Sequence, residues 1–176
     1  MAADELKERA AKIKLLILDV DGVLTDGRII LGNYGDELKF FDVQDGLGLA
    51  LLSRAGLKTA VVTAKRSPIN HRRAKEMRIT KLYQNVKDKL KVYEKLLKKF
   101  KLTKDEVCYI ADDLVDLPVF TRVGLAVAVP NGVEEVKARA HYVTHRSGGR
   151  GAVREVTDLL LKLQNKWDAA TEKYFK

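Results

Sequence analysis

The chain has 176 residues, of which 46% are apolar, so we expect one domain over residues 1–176 with one hydrophobic core. Its net charge is +9, yet the excess lysines cover a helix face at 87–104 without the interleaved aromatics of a nucleic-acid surface, so we predict no nucleic-acid partner. One cysteine, a charged N-terminus and no apolar stretch of membrane length exclude a disulfide framework, a secretory leader and a membrane anchor, which predicts a cytoplasmic protein.

Apolar runs alternate with amphipathic stretches along the chain. The predicted elements, in chain order, are a strand at 14–20, a hairpin at 28–43, a helix at 46–55, a strand at 58–63, a helix at 67–77, a strand at 81–84, a helix at 88–100, a strand at 106–111, a helix at 114–122, a strand at 124–128, a helix at 132–138, a strand at 141–144 and a helix at 151–164. This order predicts an α/β fold with a doubly wound, mostly parallel sheet. The hairpin is the exception, because both arms are apolar and no helix covers it, so we expect it to seek partner strands.

Two carboxylates follow the first predicted strand where its apolar run ends. Asp19 and Asp21 come directly after residues 15–18, with Gly22 behind them. In open α/β sheets, ligands bind in the crevice at the carboxyl ends of the strands. A loop that caps the next helix or solvates a turn is the alternative interpretation of this Asp pair.

A second acidic cluster favours the functional interpretation of the first. Asp112, Asp113 and Asp116 follow another apolar run, residues 107–110. Like charges at one sheet edge are destabilising unless a cation neutralises them, and a compact site of oxygen ligands suits Mg²⁺. The two clusters together predict a magnesium site.

Between the clusters, another strand ends in residues suited to binding a phosphate. Thr63 offers a hydroxyl, Ala64 a backbone amide and Lys65 a cation. Ser67-Pro68 then predicts a helix N-terminus that points toward the same crevice. Lys89, early in a later helix, would add a second cation. An ordinary strand-to-helix turn and a solvated basic face remain the alternatives for these two segments.

These segments, in this order, resemble the four motifs of the haloacid dehalogenase superfamily of Mg²⁺-dependent phosphatases. The residues that carry the resemblance are Asp19 and Asp21 in DVDGVLTDG, Thr63 in VTA, Lys89, and Asp112 with Asp116 in ADDLVD. Within the superfamily, the chain is most similar to the small capless phosphatases that act on 3-deoxy-D-manno-octulosonate 8-phosphate (Kdo 8-phosphate). That closer similarity lies in DVDGVLTDG, KFFDVQDGLGL, LYQ before Lys89, ADDLVD and YVTHRSGGRGAVREVTDLLL.

The resemblance implies hydrolysis of a sugar-acid phosphate, in lipopolysaccharide precursor synthesis, through an aspartyl-phosphate. Asp19 would be the nucleophile, and Asp21 would protonate the leaving oxygen and then deprotonate water. The Asp19 carboxylate, the Asp21 carbonyl and Asp112 would hold Mg²⁺. Asp113 and Asp116 would orient this cluster and the lysine beside it.

The same resemblance implies a phosphate cradle and a substrate pocket. Thr63, the Ala64 amide and Lys89 would stabilise the equatorial oxygens of the transferred phosphoryl group. Arg73 is a candidate for binding the substrate carboxylate. The residues that would contact the sugar acid are Asp21, Lys65, Arg73 and the segment made of Asp42, Val43, Gln44, Asp45 and Gly46.

The resemblance further implies a homotetramer in which the hairpins assemble and neighbouring subunits cover the active site in place of a cap domain. Two residues, Ala64 and Ala111, stand where the family usually has glycine, and alanine fits there only if its φ angle is negative. Lys65 stands where arginine is common; it keeps the charge and loses the bidentate fork.

Other interpretations stay open at this stage. The substrate would alternatively be another sugar-acid phosphate, such as a nonulosonate 9-phosphate; the Asp pair would alternatively serve a nucleotide-sugar transferase, or the chain would be a catalytically silent binding protein. The loop at 148–151 either closes over the site or links to the last helix. We expect the histidines at 71, 141 and 145 to be structural or surface residues, and Trp167 with the tail to pack on a neighbouring subunit.

Overall fold

A central parallel sheet organises the chain, which is described here by a computed structural model covering residues 3–176. Its strands are β1 (Leu15–Leu18), β4 (Lys58–Val62), β5 (Lys81–Tyr83), β6 (Val107–Ala111), β7 (Leu125–Ala128) and β8 (Tyr142–Val143). Across residues 3–176 these six strands are all parallel, in the order β5-β4-β1-β6-β7-β8. The hairpin strands β2 (Ile30–Leu31) and β3 (Glu37–Leu38) pair antiparallel with each other, outside the sheet. The predicted fold class is confirmed.

Helices connect the strands and cover both faces of the sheet. They are α1 (Ala3–Lys12), α2 (Val43–Arg54), α3 (Pro68–Glu76), α4 (Lys89–Phe100), α5 (Leu117–Phe120), α6 (Glu134–Lys137), α7 (Ala152–Leu163) and α8 (Trp167–Thr171). Short 3₁₀ turns lie at Lys104–Glu106, Leu114–Asp116 and Glu172–Tyr174. The Ser67 and Asp88 side chains accept backbone N–H bonds and begin α3 and α4 at or within one residue of the predicted starts.

The sheet separates two apolar cores, and β1 contributes to both. Leu16 and Leu18 pack in a core covered by α1, α2, α7 and α8. Leu15 and Ile17 point to the other core, which α4, α5 and α6 cover. A strand buried on both faces has a continuous apolar sequence. The run Leu-Leu-Ile-Leu therefore predicted a parallel strand.

The register of β1 brings three loops to one edge of the sheet. Leu18 lies opposite Val61 of β4 and Ile110 of β6. The three strands therefore end together, and the residues that follow them, beginning with Asp19, Thr63 and Asp112, enter one crevice. This is the edge at which ligands bind in such sheets.

The C-terminal segment packs on its own chain. Trp167 lies against the first core, Ala170 is buried, and Arg54 Nη1 donates to the Ala170 carbonyl at 2.7 Å. Trp167 thus packs against the core of its own chain, and a contact of the tail with a neighbouring subunit stays a prediction. Within residues 3–176, none of the helices has the length and apolarity needed to cross a lipid bilayer.

Candidate active site

A buried lysine joins two carboxylates at the centre of the crevice. Lys89 Nζ lies 2.9 Å from Asp19 Oδ2 and 2.6 Å from Asp116 Oδ1. Asp19 is 7% exposed and Asp116 is fully buried. Burial disfavours the Lys89 ammonium, but the two carboxylates outweigh it and raise the pKa of Lys89. Lys89 therefore stays charged and can meet an anion at Asp19.

Tyr109 completes this network and was not predicted as a site residue. It lies inside the apolar run of β6, and its hydroxyl donates to Asp116 Oδ1 at 2.6 Å. Burial and the neighbouring carboxylates raise the pKa of Tyr109 far above its ordinary value, so the hydroxyl keeps its proton. Asp116 thus has its Oδ1 held by two donors, as expected of a residue that fixes Lys89 in place.

Three carboxylates have the spacing of a cation site. Asp19, Asp112 and Asp116 each offer one oxygen, and these oxygens lie within 4.8 Å of one another. Within the described residues, Asp112 Oδ1 and Asp116 Oδ2 are buried without a hydrogen-bond partner. Burial raises the pKa of Asp19 despite the opposing charge of Lys89. Burial, with the charges of Asp19 and Asp116, raises the pKa of Asp112 to about 7.

This donor set fits Mg²⁺. The ligands are carboxylate oxygens, Asp112 and Asp116 each have one oxygen without a hydrogen-bond partner, and a divalent cation favours the ionised carboxylates that burial penalises. The sequence prediction gave Asp116 an orienting role only, yet one of its carboxylate oxygens meets the same distance criterion as those of Asp19 and Asp112.

The loop that carries Asp19, the predicted nucleophile (the nucleophile loop), approaches Asp112 so closely that it requires glycine. Gly22 has φ +91°, and a Cβ there would lie 1.9 Å from Asp112 Oδ2. Thr25 stabilises the turn, since its Oγ1 accepts the Gly22 and Gly27 N–H groups, each at 3.3 Å. Any side chain at Gly22 would displace the Asp112 carboxylate.

The segment predicted to bind phosphate has a backbone that alanine can adopt. Thr63 is buried, and its Oγ1 accepts the Lys65 N–H at 3.2 Å. Ala64 is exposed in the crevice loop, and neither Ala64 nor Ala111 has positive φ. Alanine therefore replaces the family's glycine without strain at both places.

Lys39, a hairpin residue that the sequence analysis did not single out, reaches Asp21. Its Nζ donates to Asp21 Oδ1 at 2.5 Å and lies 3.4 Å from Glu37 Oε1. The Lys39 side chain is 2% exposed. Sequence periodicity gave no signal for this contact, which joins residues 18 positions apart.

The segment expected to contact the sugar acid contains both buried and exposed residues. Asp45 is 1% exposed, and its Oδ1 accepts the Arg154 N–H at the start of α7 at 2.7 Å. Asp42 caps α2 by accepting the Gln44 N–H at 2.6 Å. Val43 is exposed. The Asp45 carboxylate is thus directed into the fold, and its predicted contact with the sugar acid stays a prediction.

Arg73 is also engaged within the chain. Its Nη2 donates to the Asp42 carbonyl at 2.9 Å, and its guanidinium lies over the Phe41 ring, 5.6 Å from the centroid. Gly46 leaves room for it, since a Cβ there would lie 2.7 Å from Arg73 Nη2. Arg73 fixes the end of the hairpin to α3, so the structure gives it a positional role that the prediction lacked.

The glycine-rich loop at 148–151 packs under the nucleophile loop. Gly149 N donates to the Val23 carbonyl at 3.0 Å, and a Cβ on Gly148 would lie 1.8 Å from the Gly22 carbonyl oxygen. Asn131, another residue not anticipated, links the two loops by donating to the Gly22 carbonyl at 2.8 Å and accepting the Gly148 N–H at 2.7 Å. The loop therefore supports its neighbour by packing, and its two interpretations, closure over the site or a link to the last helix, stay predictions.

The remaining predicted residues lie at the margin of the site. Asp113 is exposed and accepts the N–H of Leu114 at 2.7 Å, so it caps the turn that carries Asp116. His141 Nδ1 accepts the Ala126 N–H at 2.9 Å, a structural role as predicted.

Two cavities flank the hairpin beside the crevice. One, of about 420 Å³, is lined by Lys39, Phe40, Phe41, Val43, Ile69, Arg72, Arg73 and Glu76. The other, of about 460 Å³, is lined by Asp26, Arg28, Phe40, Phe41, Asp42, Val43, Gly149 and Arg150. Both contain cationic side chains and aromatic rings, a lining suited to an anionic sugar.

Comparisons with known proteins agree with this geometry. Residues 53–155 match the haloacid dehalogenase-like hydrolase family. The 3-deoxy-D-manno-octulosonate 8-phosphate phosphatase of Yersinia pestis is 48% identical over 169 residues, covering 96% of this chain and 90% of that protein. The protein of the same name from Escherichia coli K12 is 46% identical over 162 residues, covering 92% and 86%. A crystal structure of the Moraxella catarrhalis phosphatase with magnesium ion, phosphate ion and KDO is 43% identical, with a TM-score of 0.95 over 98% of this chain and 99% of that one.

Proposed function

This chain belongs to the haloacid dehalogenase-like hydrolases, and we propose that it is a Mg²⁺-dependent phosphatase that converts Kdo 8-phosphate to Kdo and phosphate. The observation that carries the proposal is the buried Asp19–Lys89–Asp116 network beside the unpartnered Asp112 oxygen, at the carboxyl edge of a parallel sheet. The named relatives support the choice of substrate.

In the proposed mechanism, Asp19 attacks the phosphorus of the ester. A bond forms between an Asp19 carboxylate oxygen and phosphorus, and the bond from phosphorus to the sugar C8 oxygen breaks. Asp21 gives its proton to that leaving oxygen, so the sugar departs as an alcohol. Asp21 then removes a proton from water, which attacks phosphorus and releases phosphate and free Asp19.

The surrounding residues would neutralise the negative charge of the carboxylates and of the phosphoryl group. Asp19 and Asp112, with the Asp21 carbonyl, would hold Mg²⁺, and Asp116 offers a further oxygen. When bound, Mg²⁺ would shield the Asp19 carboxylate from the anionic phosphate that it must approach. Lys89, the Thr63 hydroxyl and the Ala64 amide bind the phosphoryl oxygens in the crevice, while Asp116 and Tyr109 keep the Lys89 ammonium in place.

The sugar acid would occupy the cavities beside the hairpin. Lys65 lies at the phosphate end, and the cavity walls carry Arg28, Arg150 and Arg72 near the Phe40 and Phe41 rings. Arginines are suited to a carboxylate because they bind it through two parallel hydrogen bonds. This arrangement favours a substrate that is anionic at both ends.

We further propose a cytoplasmic homotetramer. The hairpin exposes apolar side chains beside the active site, among them Leu38 and Phe40, and burial against other copies would remove them from water. The lone cysteine, Cys108, is buried and free, which suits a reducing compartment.

A phosphate-release assay over sugar phosphates tests the substrate, with Kdo 8-phosphate and a nonulosonate 9-phosphate as the two main arms, each with Mg²⁺ or with a chelator. We expect Kdo 8-phosphate to give the higher kcat/KM and the chelator to stop turnover. A higher kcat/KM for the nonulosonate 9-phosphate would support the proposed chemistry but show that the proposed substrate is wrong. No release from any phosphate by the Mg²⁺-loaded protein would overturn the proposal.

Replacing the nucleophile tests the chemistry. Asp19→Asn keeps the side-chain volume and removes the attacking carboxylate, so we expect a loss of about a thousandfold or more in kcat. Beryllofluoride with Mg²⁺, a mimic of the aspartyl-phosphate, should raise the melting temperature of the wild type and leave that of Asp19→Asn unchanged. A variant that keeps more than about one per cent of the activity would contradict the covalent mechanism.

A further inference from the structure

The hairpin contacts the catalytic centre through one buried side chain. Lys39 follows β3, and its ammonium lies against Asp21, the residue proposed to transfer the proton. The neighbouring hairpin residues Leu38 and Phe40 are exposed, whereas the Lys39 side chain turns inward and is 2% exposed. A buried ammonium requires partners that hold it, and Asp21 with Glu37 supplies them.

We propose that Lys39 is a positioning residue for Asp21. Its ammonium binds Oδ1 of the Asp21 carboxyl group, and this fixes the rotation of that group so that Oδ2 is the oxygen left to exchange a proton with the leaving alcohol and later with water. The inference rests on the proposed function, because it assumes that Asp21 is the acid and base.

The geometry favours positioning over direct binding of substrate. The Lys39 Nζ already has two carboxylate partners, Asp21 at 2.5 Å and Glu37 at 3.4 Å, and it is screened from solvent. Lys65 and Lys89 lie at the ends of the loops expected to bind the phosphate. The loss of Lys39 should therefore affect the step that needs a correctly placed Asp21 more than the binding of the phosphate.

That step can be isolated by comparing two esters. p-Nitrophenolate leaves without a proton, whereas the primary alkoxide of Kdo 8-phosphate requires one. Because kcat/KM covers the steps up to departure of the alcohol, loss of proton transfer lowers it for Kdo 8-phosphate more than for p-nitrophenyl phosphate. A variant that is only less stable, with a smaller folded fraction, lowers both values by the same factor.

The experiment measures the ratio of the two kcat/KM values for the wild type, Asp21→Asn, Lys39→Met, Lys39→Gln and Lys39→Arg. We expect Asp21→Asn to shift the ratio toward p-nitrophenyl phosphate by about a hundredfold. Lys39→Met and Lys39→Gln should shift the ratio in the same direction by about tenfold or more. Lys39→Arg keeps the charge, so its ratio should lie close to the wild-type value. Lys91→Met, which removes an exposed lysine on α4, is the matched control and should leave the ratio unchanged.

A double variant separates positioning from substrate binding. In Asp21→Asn/Lys39→Met, the lysine has no carboxyl group left to orient, so the second substitution should not move the ratio further. The proposal would be overturned if both Lys39→Met and Lys39→Gln had the wild-type ratio. It would also be overturned if Lys39→Met shifted the ratio equally in the wild type and in Asp21→Asn. If the wild type hydrolyses p-nitrophenyl phosphate but not Kdo 8-phosphate, the proposed substrate fails, and ethyl phosphate then serves as the alkyl ester for the same comparison.

Discussion

At the residue scale, the site concentrates negative charge in a place from which water is largely excluded. Three aspartates share one small volume with one lysine, and burial, together with the charges of Asp19 and Asp116, raises the pKa of Asp112 to about 7. Such a cluster is compatible with a folded protein when a cation completes it, since unpaired buried charge is among the costliest features of a structure. The metal is therefore expected to act on stability as well as on turnover.

Removing a ligand should weaken metal binding, whereas removing the proton carrier should not. We expect Asp112→Ala to raise the Mg²⁺ concentration needed for half-maximal thermal stabilisation by about tenfold or more, because a charged ligand is lost. Asp21→Asn should bind Mg²⁺ nearly as the wild type does, since its contribution to the metal is the backbone carbonyl. Melting curves over a Mg²⁺ titration measure the Mg²⁺ affinity of both variants. If excess Mg²⁺ restored the thermal stability of Asp21→Asn better than that of Asp112→Ala, these assignments would be contradicted.

Asp45 gives a pH dependence whose sign follows from its burial. Burial raises its pKa to about 6, although the Arg154 N–H opposes the shift. A carboxyl group that is more basic when folded stabilises the fold below pH 4 and loses that contribution as the pH rises through 6. Asp45→Asn cannot titrate, so from pH 4 to 7.5 its free energy of unfolding should gain about 2 kcal/mol relative to the wild type. Urea unfolding at the two pH values measures this, and parallel pH profiles would show that Asp45 is already ionised at no cost.

At the scale of elements, the active site depends on loops that touch each other through backbone. The glycine-rich loop supports the nucleophile loop at Gly148, and Asn131 joins both. Neither contact involves a catalytic group, yet both fix where Asp19 and Asp21 lie.

A methyl group at Gly148 should therefore affect activity through position. We expect Gly148→Ala to lose about 1–3 kcal/mol of stability, because the added Cβ meets the Gly22 carbonyl, and to lower kcat/KM of the remaining folded enzyme by about tenfold or more. Gly56→Ala is the matched control: its φ of +84° makes alanine costly, but it has open space and lies at the opposite end of β4. Equal activity losses in the two variants would show that the loop contact carries no catalytic role.

Sequence patterns predicted the elements whose signals are local. The strand of residues 15–18 and the helix at 89–100 follow from a buried apolar run and from an amphipathic face with a cap at Asp88. Helix α1 was missed because a charged terminus showed too little apolar surface, and α2 begins at Val43 rather than 46 because the Asp42 cap lay in the presumed hairpin. The hairpin ladder is shorter than 28–43, since its arms have no third strand to pair with.

The residues of the candidate site also fall into those that sequence patterns predicted and those that they did not. Asp19, Thr63 and Asp112 were predictable because each follows a strand end, and parallel strands end at one edge. Tyr109 and Lys39 were not, because one looks like a core residue within its strand and the other reaches Asp21 from a distant hairpin. Contacts of this kind depend on tertiary placement, which periodicity does not encode.

At the scale of the whole molecule, the hairpin is the feature that the fold leaves uncovered. Leu31 is 75% exposed and Phe40 is 63% exposed, whereas the central strands β1, β6 and β7 of the sheet are buried. We expect Ile30→Lys with Phe40→Lys to dissociate the proposed oligomer, because charges stranded in an apolar interface cost on the order of several kcal/mol each.

The assembly prediction is checked by light scattering together with two activities. The dissociated variant should lose more activity on Kdo 8-phosphate than on p-nitrophenyl phosphate, since only the larger substrate would need a neighbouring subunit. Val143→Lys, on the edge strand β8, is the control and should leave the assembly intact. A monomeric wild type, or a monomeric variant with full activity on Kdo 8-phosphate, would show that the hairpin has another role.

The strand order also determines when the protein can acquire its active site during synthesis. β1, which leads into Asp19, pairs with β4 and β6, and these neighbours are translated later by 40 and 89 residues, counted from Leu18 to Lys58 and to Val107. At about 5–20 residues per second, the ribosome needs roughly 5 to 20 seconds to complete β6 after β1. During that interval an apolar strand made of Leu15–Leu18 lacks its partners. Asp19, the proposed nucleophile, is thus synthesised early and positioned late, and we expect the nascent chain to be open to chaperone binding until residue 111 has emerged.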